Sequence, residues 1–180
     1  MNRAAAVLAA AAMCGACADL PRKAAVEVAD RWSPPSAAAA KRLIELYGPP
    51  DDAQLNRLTW NRKGPWLRTA VWNRPQVYRS PRDFDLVEQT VRYPVSREKA
   101  AELVAFSGAL LVDVAKGEMS SRASREEVNF LNLNLADEVV RGRKTVDEAR
   151  VAYKRILELT AAGKSSAYVG GLRFDGKGAP

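Results

Sequence analysis

Residues 57–72 read RLTWNRKGPWLRTAVW. Two short stretches rich in aromatic and β-branched residues, near 57–60 and 66–72, flank Asn61-Arg62-Lys63-Gly64. A four-residue break that closes on glycine between two such runs predicts a β-hairpin, with glycine supplying the positive φ that a tight turn needs. Upstream, Ser36 stands where a helix cap is expected. Leu43, Ile44 and Tyr47 give that helix its apolar stripe, and Gly48-Pro49-Pro50 stops it. Downstream, a loop with Pro75 and Pro81 leads to a third strand over 86–93. Ser96 caps a helix through Phe106, and Gly108 separates it from a fourth strand over 110–115. Two helices then close the core, because Ser124 with Glu127 and Thr145 with Glu148 both match the S/T-x-x-E capping box. They end at Gly142 and near Gly163, and the tail over 167–174 leaves room for a short strand broken by Gly170-Gly171. This order predicts an α+β fold: a mainly antiparallel sheet of about four strands with helices packed on one face.

The amino terminus has a different character. Met1-Asn2-Arg3 is followed by an uninterrupted apolar run from Ala4 to Met13, the small residues Gly15-Ala16-Cys17-Ala18, and then Asp19. A basic start, a short apolar segment and a small-residue cleavage site are the parts of a secretory signal peptide. The run is too short for a permanent transmembrane helix, which needs about 20 apolar residues. Gly15-Ala16-Cys17 resembles the end of a bacterial lipobox, although Cys14 stands where that motif usually has leucine. Lipidation of Cys17 would remove a thiol that otherwise has no partner in an exported chain, and diacylglycerol with an amide-linked acyl chain anchors stably. Ala16-Cys17-Ala18 also fits ordinary cleavage before Asp19, which would release a soluble periplasmic protein. The expected organisation is a signal peptide over 1–16, a tether over 17–35 containing Pro21, Pro34 and Pro35, one α+β domain over 36–174 and a flexible tail over 175–180. The expected address is the outer or inner bacterial membrane, facing the periplasm.

The chain has 180 residues, no histidine, and cysteines only at Cys14 and Cys17. A Ser-His-Asp triad, a Cys-His nucleophile pair, a zinc finger and a His-ligated haem are excluded. Ser96-Arg97-Glu98-Lys99 matches S-x-x-K by letter, but it sits at a helix cap and lacks the companion motifs of Ser-Lys enzymes. There is no glycine-rich phosphate loop and no distinctive run of metal ligands, so the sequence implies no cofactor, no metal and no catalytic residue of these types. Carboxylate chemistry stays open.

Two stretches are chemically unusual. Between Ala53 and Arg82 lie seven bases (Arg57, Arg62, Lys63, Arg68, Arg74, Arg79, Arg82) and no carboxylate, with Trp60, Trp66, Trp72 and Tyr78 among them. Strand alternation puts Trp66, Arg68 and Trp72 on one face and Leu67, Thr69 and Val71 on the other. If the second face meets the helices, Arg62, Lys63, Trp66, Arg68 and Trp72 offer an anionic partner guanidinium and indole groups together. Anionic lipid, an envelope polymer or another envelope protein suits that surface. Nucleic acid would use the same residues but is disfavoured by export, and the plainer alternative is that the tryptophans are core. The helix over 125–141 carries Asn129, Asn132 and Asn134 among Val128, Phe130, Leu131, Leu133, Leu135, Ala136, Val139 and Val140. At 100° per residue, Asn129 and Asn132 fall within the apolar arc, while Asn134, Asp137 and Glu138 fall on the polar side. The two inward amides either hold a loop over 118–122 or, with Glu118 and Arg122, line a polar pocket.

Leu58-Thr59-Trp60, Gly64-Pro65-Trp66, Gly117-Glu118-Met119-Ser120 and the run from Glu127 to Ala136 resemble a family of uncharacterised exported bacterial proteins, over roughly 41–174. That resemblance implies export and no particular activity. A fainter likeness of layout, covering the first half, is to the small lipoproteins of the outer-membrane β-barrel assembly machinery. The expectation is a non-enzymatic, membrane-tethered envelope lipoprotein of binding or structural type. The alternative is a small periplasmic hydrolase or ligand-processing enzyme built around Glu118, Arg122, Asn129 and Asn132.

Overall fold

The computed structural model describes residues 13–73 and 85–175. The start of the leader, the loop with Pro75, Tyr78 and Pro81 and its bases Arg74, Arg79 and Arg82, and the tail over 176–180 lie outside the described residues. The elements run α1 (Met13–Ala29), α2 (Pro34–Tyr47), β1 (Asp52–Gln54), β2 (Arg57–Asn61), β3 (Arg68–Trp72), β4 (Val87–Arg92), α3 (Arg97–Phe106), β5 (Leu110–Asp113), β6 (Glu118–Ala123), α4 (Glu126–Val140) and α5 (Val146–Ala161). The strands form one antiparallel sheet in the order β1-β2-β3-β4-β6-β5. The fold is α+β as the element order predicts, with a sheet of six strands rather than about four. Among the described residues no helix is long and apolar enough to cross a membrane.

Register divides the sheet into two faces, because paired residues of antiparallel strands point the same way. Leu58 pairs with Val71, Val71 with Val87, and Val87 with Ala123. Trp60, Thr69, Gln89, Val91, Met119, Ser121 and Leu110 follow on the same side, which is buried beneath the helices. Two clusters fill that side. Leu43, Ile44, Leu58, Trp60, Val71 and Val87 pack with α1 and α2 at one end. Tyr93, Leu103, Met119, Leu131, Leu135 and Val139 pack with α3, α4 and α5 at the other, and Tyr47 touches both.

Local signals explain several elements. Gly64 turns the hairpin with φ +56°, and Trp66 N–H bonds to Lys63 C=O across that turn at 3.2 Å. The Ser96 hydroxyl accepts from Lys99 N–H, and Thr145 with Glu148 forms the reciprocal capping box. The other expected box is not formed. The cap of α4 is Arg125, without a side-chain bond, and Glu126 and Glu127 instead place negative charge against the helix N-terminus.

Three expectations need correction. Residues 118–122 form β6, not a loop, and β6 is inserted between β4 and β5. Its sequence hides this, since Met119, Ser121 and Ala123 alternate with Glu118, Ser120 and Arg122 and offer little apolar contrast. β1 consists of three exposed residues. The tail over 167–174 makes turns, not a strand. The stretch 17–35 is no loose tether: helix runs through Pro21, and Ala25, Ala29 and Trp32 are buried at i, i+4 and i+7 spacing. The Trp32 Nε1–H donates to Leu55 C=O at 2.7 Å, which ties this segment to the β1–β2 turn.

Candidate functional site

The hairpin does not present its indoles as strand alternation predicts. β3 begins at Arg68, so Trp66 belongs to the connecting loop, where alternation does not apply. It turns to the helical side, is 2% exposed, and stacks on Phe130 with ring centroids 4.8 Å apart. Trp60 is fully buried and donates to Gly48 C=O. Trp72 does lie on the open face, half-buried, with the Arg57 guanidinium 5.2 Å from its ring centre. Arg62 and Lys63 stand at the tip, Arg62 exposed and with φ +52°.

The open face is also less basic than the window alone suggests. Tertiary pairing brings carboxylates from other strands beside the arginines. Arg68 faces Glu118 at 3.2 Å, Arg122 donates to Glu88 at 2.6 Å, and Arg57 faces Asp52 at 3.2 Å. With Arg92 and Asp113 on the same side, four arginines meet four carboxylates.

The sheet separates the four pocket candidates. Glu118 and Arg122 point to the open face, whereas Asn129 and Asn132 lie between α4 and the opposite face. The two amides do not hold a loop. Asn129 Nδ2 donates to Val87 C=O at 3.1 Å and to Gln89 Oε1 at 2.9 Å, and Asn132 Nδ2 donates to Ser121 Oγ at 3.0 Å. Each amide thus fastens α4 to a polar position on the inward face of the sheet. Neither Oδ1 has a hydrogen-bond partner among the described residues, although both are buried.

Asn134 and Asp137 are buried too, contrary to the helical-wheel expectation, because the C-terminal segment crosses over that side of α4. Asn134 clamps it from both directions: Nδ2 donates to Tyr168 C=O and Gly171 C=O, and Oδ1 accepts from Arg173 N–H at 2.8 Å. Asp137 accepts from Tyr93 Oη–H at 2.6 Å, from Arg141 Nε–H at 2.7 Å and from Arg143. Burial pushes the Tyr93 hydroxyl above the usual phenol range, and the bond to Asp137 pushes it the same way.

A second carboxylate, missed by the sequence reading, joins the two ends of the core. Glu126 accepts from Tyr47, from Trp66 Nε1–H at 3.1 Å and from Gln89 Nε2–H at 2.5 Å. Burial raises the Tyr47 hydroxyl as well, with the Glu126 bond next in effect, so it remains a donor. Gln89 carries the network on to Asn129. The signal for it was faint: one glutamate in the first turn of a helix, opposite a glutamine in a strand.

Arg122 and Asn132 do meet at one feature. A cavity of about 350 Å³ opens where β6 ends, bordered by Arg122, Ala123 and Ser124, by 106–109 between α3 and β5, by Val128 and Asn132 of α4, and by Arg150, Tyr153 and Lys154 of α5. Its walls combine Phe106, Val128 and Tyr153 with a cationic rim. No family model, curated protein or solved structure matches this chain.

Proposed function

We propose that this chain is a non-enzymatic, lipid-anchored protein of the bacterial envelope that acts by binding. The observation that carries the reading is the order of the amino-terminal residues: one base, an apolar run ending at Met13, and Gly15-Ala16-Cys17. Short apolar leaders of this kind direct export, and a cysteine after two small residues is the acceptor for a diacylglycerol anchor. The polar groups that could suggest chemistry support a structural role instead. Glu126 and Asp137 each hold three donors, while Glu118 and Arg122 are paired to Arg68 and Glu88. Contact with anionic lipid or polymer then falls to Arg62 and Lys63 at the hairpin tip. Metabolic labelling with a palmitate analogue in a bacterial host tests the anchor. The wild type takes up label and Cys17→Ala does not; an unlabelled wild type overturns the reading.

A further inference from the structure

We infer that the cavity between the hairpin tip and the C-terminal segment is a binding site for a single-chain amphiphile, an alkyl or acyl chain that ends in an anionic head. The cavity measures about 750 Å³, within the span of small-molecule sites, about 300–1,000 Å³. The first observation is Arg62. It has the only positive φ, +52°, at a non-glycine position among the described residues. An arginine is strained there because its Cβ crowds the backbone, and glycine or asparagine would make the same turn at less cost. Such an outlier points to a task for the side chain that the turn itself does not set. Arg62 is exposed, borders the cavity and has no ion-pair partner among the described residues.

The second observation is the charge around the cavity. Arg57, Arg68 and Arg122 on the open face are each matched by a carboxylate. Arg92, at the end of β4, is exposed and borders the same cavity as Arg62, and it too lacks an ion-pair partner among the described residues. Asp175, the one carboxylate on the wall, is already engaged. The charge left to offer is positive. Two guanidinium groups at one cavity suit a phosphate or carboxylate head, which accepts from their forked donors.

The third observation is the wall. Pro65 is exposed and Leu67, Leu172 and Phe174 are half-buried, so both the hairpin loop and the C-terminal segment bring accessible apolar surface to the cavity. Trp66 and Phe130, stacked and buried, back that wall. Gly170 and Gly171 leave it open, since a Cβ at either would meet no atom within 4 Å. Methylenes laid against such a surface gain by leaving water. A bare anion would use only the arginines and an uncharged guest only the wall; a chain with an anionic head uses both. The inference rests on the reading of the hairpin tip as the contact for anionic lipid, and it adds the seat of the chain.

Decyl phosphate, decylphosphocholine and inorganic phosphate are titrated separately, below micelle formation, into the isotopically labelled full chain with Cys17→Ala to remove the anchor, and amide shifts are followed. Decyl phosphate is expected to move the amide signals of Leu67, Gly171 and Phe174. Decylphosphocholine, whose head has no net charge, should bind about tenfold more weakly, the size of one favourable charge contact. Inorganic phosphate, lacking the chain, should leave those amides unmoved at the concentration that saturates with decyl phosphate. Arg62→Asn relieves the turn, so its urea midpoint should be no lower than that of the parent while decyl phosphate binds about tenfold more weakly. Arg92→Gln, at an exposed position, should weaken it several-fold. The proposal is overturned if decyl phosphate does not shift those amides at millimolar concentration, or if inorganic phosphate binds as well. It is equally overturned if decylphosphocholine matches decyl phosphate and Arg62→Asn changes nothing. Sedimentation with phosphatidylglycerol vesicles at low salt tests the underlying reading separately: vesicle binding that survives an empty cavity leaves the tip as a surface contact and removes only the seat.

Discussion

Asn129, Asn132 and Asn134 have the same side chain on the same buried helix, yet they do unequal work. Asn134 satisfies two carbonyls and one N–H of the C-terminal segment. Asn129 satisfies one strand carbonyl and one glutamine oxygen, and Asn132 only a serine hydroxyl. Replacement by leucine should therefore destabilise in the order Asn134, Asn129, Asn132. The first two substitutions should cost roughly 1–3 kcal/mol each, the usual penalty for stranding buried polar partners. Asn132→Leu should cost less, because it also removes a buried acceptor that has no hydrogen-bond partner among the described residues. Urea unfolding of the three variants checks the ranking. If Asn134→Leu unfolds at the wild-type midpoint, the C-terminal segment does not depend on this clamp.

At the level of elements, the legible parts were those with local punctuation. The hairpin announced itself through Gly64, α3 through Ser96, and α5 through Thr145 with Glu148. β6 was not legible because its inward face uses Ser121, whose burial makes sense only once Asn132 of α4 is in place. Asn134 and Asp137 looked solvent-facing because nothing local to α4 reveals the segment that later crosses it. Trp66 and the open-face arginines were misjudged for the same reason: Phe130, Glu88 and Glu118 come from elsewhere in the chain. Part of the cavity was legible, in Arg122 and Asn132, while its α5 wall was not. α1 is the instructive case, since Pro21 suggested a break although Ala25, Ala29 and Trp32 already had helical spacing. Trp32, in the connection just after α1, packs in the same cluster as Ala25 and Ala29, so Trp32→Ala should cost about 3–5 kcal/mol, as for other large aromatic truncations in a core. Leu55→Ala, at an 81% exposed position, should cost almost nothing. Denaturant midpoints compare the two. Equal midpoints would mean that Trp32 contributes no packing where α1 leads into α2.

The whole molecule is a one-sided sandwich of helices on a sheet, with two clusters stitched at Tyr47, Glu126 and Gln89. Among the described residues the strand positions of its outer sheet face are balanced in charge, so the net +7 of the chain comes from other residues. Docking of α1 changes what an anchor at Cys17 would do. Cys17 is only eight positions from buried Ala25, about 12 Å of helix at 1.5 Å per residue. A lipid on Cys17 would hold the α1–α2 end of the body close to the bilayer rather than on a long leash. The most direct test of the anchored account is the intact mass of the protein recovered from a bacterial host's membranes in detergent. The account predicts a chain that starts at Cys17 and carries the added mass of a diacylglycerol and an amide-linked acyl group. An unmodified chain starting at Asp19, or one retaining Met1, would contradict it.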